Sequence, residues 1–237
     1  MTRGADMRGV LFKSSALAIS ATLFTLPYFH YLIFDVSHEG RFPKGVEPWD
    51  LLLSQLFLLL IVCFLSGIVG FSFSKRFDLP GFGDPRRFIP SIPFLVVTGG
   101  VMISISYFVF DRHFIEISPH SYPEHVFYLI TMPFKEALTD EMILRLCLVT
   151  LCVGLFKRKG LGVFFVSAIA PFFTVKYFRF IGVEFGSHYL FISHLILSFL
   201  ANLLLGYLFV AHGLLYSMAL RFLLGMKYMV IAWMIGQ

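Results

Sequence analysis

Charge is scarce in this sequence: only 14% of its 237 residues are Asp, Glu, Lys or Arg, against about a quarter in an ordinary soluble domain. Cysteine is scarce too. Cys63, Cys147 and Cys152 all sit inside apolar stretches, without the paired spacing outside a membrane that marks a disulfide framework or a zinc knuckle. No small-residue cleavage site follows the basic segment Met1 to Gly9, so the long apolar stretch behind it reads as an uncleaved first helix. There is no internal repeat, low-complexity tract or linker, and a single membrane domain over 1–237 is the expectation. What fills the chain is apolar: 58% hydrophobic and 18% aromatic residues, 30 of them Phe, with a mean hydropathy of +0.83. Those values exclude a water-soluble domain.

A bilayer core takes about 20 apolar residues per helix. The fold class is therefore all-α, a polytopic transmembrane helix bundle of about seven spans, near 14–35, 50–74, 89–110, 124–156, 160–180, 187–211 and 213–235. Arg3, Arg8, Lys13, Lys75, Arg76, Arg86, Arg87, Lys157, Arg158 and Lys159 flank the spans on one side. Arg41, Lys44, Arg112 and Arg179 flank them on the other. The positive-inside rule then puts the N-terminus in the cytoplasm and the C-terminus outside, as in a bacterial inner membrane. The formal charge of +5 is spread over these juxtamembrane clusters, which argues for membrane lipid and against nucleic acid as a partner. Phe77 to Phe88, rich in Gly, Pro, Arg and aromatics, is expected along the cytoplasmic interface. Asp111 to Tyr122, with His113, Pro119 and His120, reads as a polar, irregular loop without a site.

Eight ionisable residues remain within or at the margins of spans: Lys135, Glu136, Asp140, Glu141, Arg145, Lys176, Arg221 and Lys227. Each costs roughly 2.5 to 3.5 kcal/mol on insertion scales, so such groups normally face the bundle interior and pair. The fourth span holds most of them. Pro133 is expected to break or kink the helix and give a fresh helical start near Phe134, whose dipole would favour Glu136, Asp140 and Glu141. Glu141 precedes Arg145 by four residues, the favourable order for a pair on one helix face. Asp140, about 100° round an α-helix, is left to address another helix. Two readings fit. Adjacent carboxylates with an Arg suit a membrane-embedded hydrolase, one carboxylate taking a proton from water, and they equally suit an ion-pair cluster that ties helices together.

Arg221 lies eight residues into the last span and should pair with an acid of the fourth. Lys176, near the end of the fifth span, fits either a site or a snorkelling side chain. His188, His194 and His212 read as interfacial histidines. Ser198, Asn202 and Gly206 share one face of the sixth span, where such residues pack helices, with Asn202 also able to point at the charges.

These residues resemble the motifs of the CPBP family of intramembrane proteases, which includes type 2 CAAX prenyl proteases and bacteriocin-processing enzymes. Asp140-Glu141-Met-Ile-Leu-Arg145 is similar to the family's Glu-Glu-x-x-x-Arg, with Asp for the first Glu. Phe172-Phe-Thr-Val-Lys176 resembles its Phe-x-x-x-His, with Lys for His. Gly213 to Gly225 resembles the segment carrying His-x-x-x-Asn/Asp, with Arg221 for His and Gly225 for Asn/Asp. The resemblance covers roughly 125–235, a protease-like core. It implies a membrane-embedded endopeptidase-like protein acting on a peptide or lipidated protein, with Asp140 as base, Glu141 as its partner and Arg145 as orienting cation. It also implies a divalent metal, but the ligand histidines are absent, and Lys176 and Arg221 would stand there as built-in counter-ions. A non-catalytic scaffold, a pseudoprotease, is the alternative. A metal-free hydrolase with Lys176 or Arg221 as oxyanion donors and a small transporter subunit stay open.

Overall fold

In the absence of strand patterning and with long apolar runs, the backbone can satisfy its own hydrogen bonds in a membrane only as helix. The computed structural model describes residues 3–36, 47–117, 125–180 and 185–235, and every regular element in them is helical. The order is α1 (Arg3–His30), α2 (Pro48–Ser74), α3 (Pro85–Ser106), α4 (Arg112–Ile117), α5 (Val126–Lys135), α6 (Thr150–Phe156), α7 (Lys159–Phe180), α8 (His188–His212), α9 (Leu214–Gly225) and α10 (Lys227–Ile235). A π-helix, Glu136–Val149, joins α5 to α6. Six helical segments are long and apolar enough to cross a membrane: Met7–Phe34, Pro48–Phe77, Pro85–Ile117, Lys159–Lys176, His188–His212 and Leu214–Trp233. Their outward faces carry large apolar side chains such as Phe12, Phe57, Val97 and Phe164, as lipid contact requires. The protein is an integral membrane bundle. The remaining drawn span, near 124–156, is helical from Val126 to Phe156 but bears the charges. Of the flanking residues, Arg41, Lys44, Pro119 and His120 lie outside the described residues.

The π-helix and α9 pack against each other at the centre, with α1 and α2 on one side of the π-helix and α3 and α8 on α9. Gly70 of α2 lets the π-helix in: a Cβ there would collide with the side chain and backbone of Leu146. The segment 78–84 closes one end of the bundle. Gly81 and Phe82 carbonyls accept from the backbone N–H of Leu214 and Leu215, both at 2.9 Å, satisfying donors that the first turn of α9 leaves without intrahelical partners. Gly83 (φ 96°) and Gly213 (φ 104°) face each other there, and a Cβ on either would fall 2.5 Å from backbone of the other segment. Beside this closure lies a dry core of Phe71, Leu79, Leu146, Val149, Val153, Val163, Val166, Phe209 and Leu214.

Two expectations are corrected. Pro133 does not break the helix, so no fresh N-terminus forms near Phe134. The chain runs helically through it and widens into the π register at Glu136. Proline lacks an N–H and its ring crowds the carbonyl one turn back, and a shift of hydrogen-bond register absorbs that misfit without ending the helix. Nor is Asp111 the start of an irregular loop. It ends a helical turn, Tyr107–Asp111, continues into α4, and is wholly buried, because Phe110 and Phe114 pack around it into a core with Val175, Phe185, Leu190 and Ile231.

Candidate functional site

In a π-helix the residues four and five apart stand one above the other, since each turn holds an extra residue. Glu136, Asp140, Glu141 and Arg145 are spaced by four and five, so the widened winding brings all of them to the side facing α8 and α9. An α-helix would have spread them. Glu141 and Arg145 are the deepest. Nε of Arg145 lies 3.5 Å from Oε2 of Glu141, with 1% and 0% of the two side chains exposed. The contact is ionic without an aligned hydrogen bond. Asn202 of α8 completes it: its Oδ1 accepts from Nη2 of Arg145 at 2.7 Å, and its own amide donates to the Ser198 carbonyl at 2.7 Å. Asn202 thus points at the charges, and its amide orientation is fixed from both ends.

Arg221 comes across from α9. Its Nη2 donates to Oδ2 of Asp140 at 2.7 Å, and its Nε stands 3.4 Å from Oε2 of Glu136. Lys135 lies over the ring of Tyr28, 4.7 Å from its centroid, with its charge still acting on Asp140. A third pair continues the set. Nζ of Lys227 donates to Oδ1 of Asp111 at 3.0 Å, and the Ser106 hydroxyl donates to Oδ2 at 2.6 Å.

Lys176 is exposed on α7, with no ion pair or hydrogen bond to the cluster among the described residues. Four of the five predicted site residues therefore converge (Asp140, Glu141, Arg145 and Arg221) and Lys176 does not. The snorkelling reading fits it. Asp111, expected in a loop without a site, and His194, read as interfacial, both line the cavity beside the cluster, and Asp111 carried a signal: apolar residues at Phe110, Phe114, Ile115 and Ile117 give its surroundings helical spacing.

Next to the cluster is a cavity of about 180 Å³, between α3 on one wall and α8 on the other, with α9 as its floor. Glu136, Arg221, Lys227, Asp111, His194 and Ser198 line it, together with apolar side chains of both walls. No family model matches the chain, and no curated protein or solved structure is similar to it.

A divalent metal does not fit these residues. Among the described residues no three His, Cys, Asp or Glu side chains come together as ligands. The cation that stands closest to the acidic pair from another helix, Arg221, is a guanidinium, which has no lone pair to donate. As a chemical unit the cluster is four carboxylates balanced by four cations, Lys135, Arg145, Arg221 and Lys227, and so carries no net formal charge.

Proposed function

We propose that this chain follows the plan of the CPBP intramembrane proteases and holds a peptide or lipidated-protein segment at the membrane without cutting it. The observation that supports this reading is the pairing of each acid of the protease-like motif. Asp140 is bound by Arg221 at 2.7 Å, and Glu141 lies against Arg145 at 3.5 Å inside the protein. A base must give up a lone pair to water's proton: on Asp140 one is already used in accepting from Arg221, and Glu141 is sealed from water with none of its side chain exposed. Arg221 occupies the position where the family's motif keeps a histidine. A lost catalytic group replaced by an internal counter-ion leaves a pocket that binds and does not turn over.

The protein then sits in a bacterial inner membrane with its N-terminus in the cytoplasm, since the basic segments 75–87 and 157–159 gather at one end. Expressing the wild type, Asp140→Ala and Glu141→Ala in the native host, and comparing membrane-protein C-termini by mass spectrometry, tests the reading. Identical processing in all three, at equal protein levels, is the expected result. A substrate left uncut in either variant would replace this proposal with an active peptidase.

A further inference from the structure

The cavity beside the charged cluster has a chemistry of its own. Its floor is α9, on which α3 and α8 both pack, while α3 and α8 make no comparable contact with each other. The walls meet where Tyr107–Asp111, the continuation of α3, packs on α8, and α3 itself is the least buried of the spans.

Two features of the lining decide what it can bind. The first is charge: the two acids of the lining, Asp111 and Glu136, are matched in number by Lys227 and Arg221, and Asp140, which shares Arg221, also has the charge of Lys135 beside it, so the cavity offers no uncompensated charge to an ion. A carboxylate or an ammonium brought in from lipid would have to be desolvated without a free partner, which is costly. The second is the count of donors and acceptors. Both carboxylates are occupied: Asp111 accepts from Ser106 and Lys227, and Glu136 faces Arg221 and the Tyr228 hydroxyl. The cations are not used up. An ammonium is a three-fold donor and a guanidinium donates from all three nitrogens, whereas Lys227 gives one hydrogen bond, to Asp111, and Arg221 spends Nη2 on Asp140 and turns Nε to Glu136. Side-chain exposures of 23% for Lys227 and 21% for Arg221, against 1% for Asp111 and 14% for Glu136, mean that the cations present more surface.

We infer that the cleft between α3 and α8 opens to lipid and binds an uncharged, carbonyl-bearing group, an amide or ester, whose oxygen accepts from Lys227 and Arg221 while its apolar flanks lie against Met102, Ile103, Leu197 and Leu224. The lining carries both halves of that ligand: donors without a charge to neutralise, and apolar walls. This rests on the reading above in one respect, since an amide is what a bound peptide would offer and an ester is what a lipid would offer.

The test uses the full chain in lipid nanodiscs and photoreactive diazirine probes: one hydrophobic tripeptide as its C-terminal amide, as its free carboxylate and as a cationic aminoethylamide, and a diacylglycerol. Labelled positions are mapped by mass spectrometry. The amide form should label the segments around Met102 and Leu224 about tenfold more than either charged form. Lys227→Met combined with Asp111→Asn removes one of the two donors without stranding a buried charge, and should reduce that preference several-fold in a chain that still migrates as a folded species. Equal or stronger cleft labelling by a charged form would overturn the inference and leave the peptide reading standing. Cleft labelling by diacylglycerol but not by the amide would keep the inference and overturn the peptide reading. No cleft labelling by any probe would overturn the inference.

Discussion

Arg145 and Glu141 show how unequal the two ways of altering a buried ion pair are. Their side chains are 1% and 0% exposed, so removing one strands the other without water. Arg145→Met should cost about 3–5 kcal/mol, and adding Glu141→Gln should recover most of it, because the pair then leaves as a neutral unit. Thermal unfolding in detergent reads both, and a double variant no more stable than Arg145→Met would contradict the pairing. Asn202→Leu should cost about 1–3 kcal/mol by the same measurement, since it takes the acceptor from a buried guanidinium N–H. Lys176→Ala should lie within about 0.5 kcal/mol of wild type. At this scale the sequence was informative wherever depth in a span removed the alternatives. Arg221 has no route to water from eight residues inside an apolar run, so a carboxylate partner followed. Lys176 sits near a span end, where reaching outward and reaching inward satisfy it equally. Nothing in its neighbours tells which.

The element that organises the site is the π-helix, and periodicity alone does not announce it. An α-helical projection separates Asp140 from Glu141 by about 100° and gives each a different neighbourhood. The widened turn instead lets Glu136, Asp140, Glu141 and Arg145 share one face. Pro133 was legible as a disturbance, but a proline in a long helix ends it, kinks it or shifts its register, and packing makes that choice. Gly70 is part of the packing. Because the π-helix is thicker, α2 can approach it only where a side chain is missing, and Leu146 fills that space. Gly70→Ile should therefore destabilise by about 1–3 kcal/mol or more through overpacking. Size-exclusion chromatography of the purified chain should show a smaller monodisperse fraction than for wild type, and an unchanged profile and melting temperature would mean that the helices do not approach as closely as described.

Over the whole molecule the polar groups are graded along the bundle. From Asp111 and Lys227 near the end of α3 they run through Glu136, Arg221 and Asp140 to Glu141, Arg145 and Asn202. There they stop. Beyond Arg145 the same helix continues as Leu146, Val149 and Val153, sealed in the dry core beside the segment 78–84. A transport pathway needs polar or water-filled space at both ends, whereas among the described residues the buried charges reach toward one, which is why a binding cleft fits the architecture better than a conduit. Which leaflet the cleft faces then follows from orientation alone. Span positions were legible from hydropathy, and the ends named by the structure differ from them by a few residues in most spans, since lipid exposure reads directly as apolar length. Orientation rests on the basic residues at the closed end. In a chain with its three cysteines replaced, Asp78→Cys and Arg158→Cys lie at that end, and Glu116→Cys and His125→Cys at the other, all on exposed positions. A membrane-impermeant maleimide added to intact cells should label the second pair and spare the first until the cells are opened. The reverse pattern would place the dry core outside and open the cleft toward the cytoplasmic leaflet, so that its ligand would be drawn from lipids and peptides on the inner face.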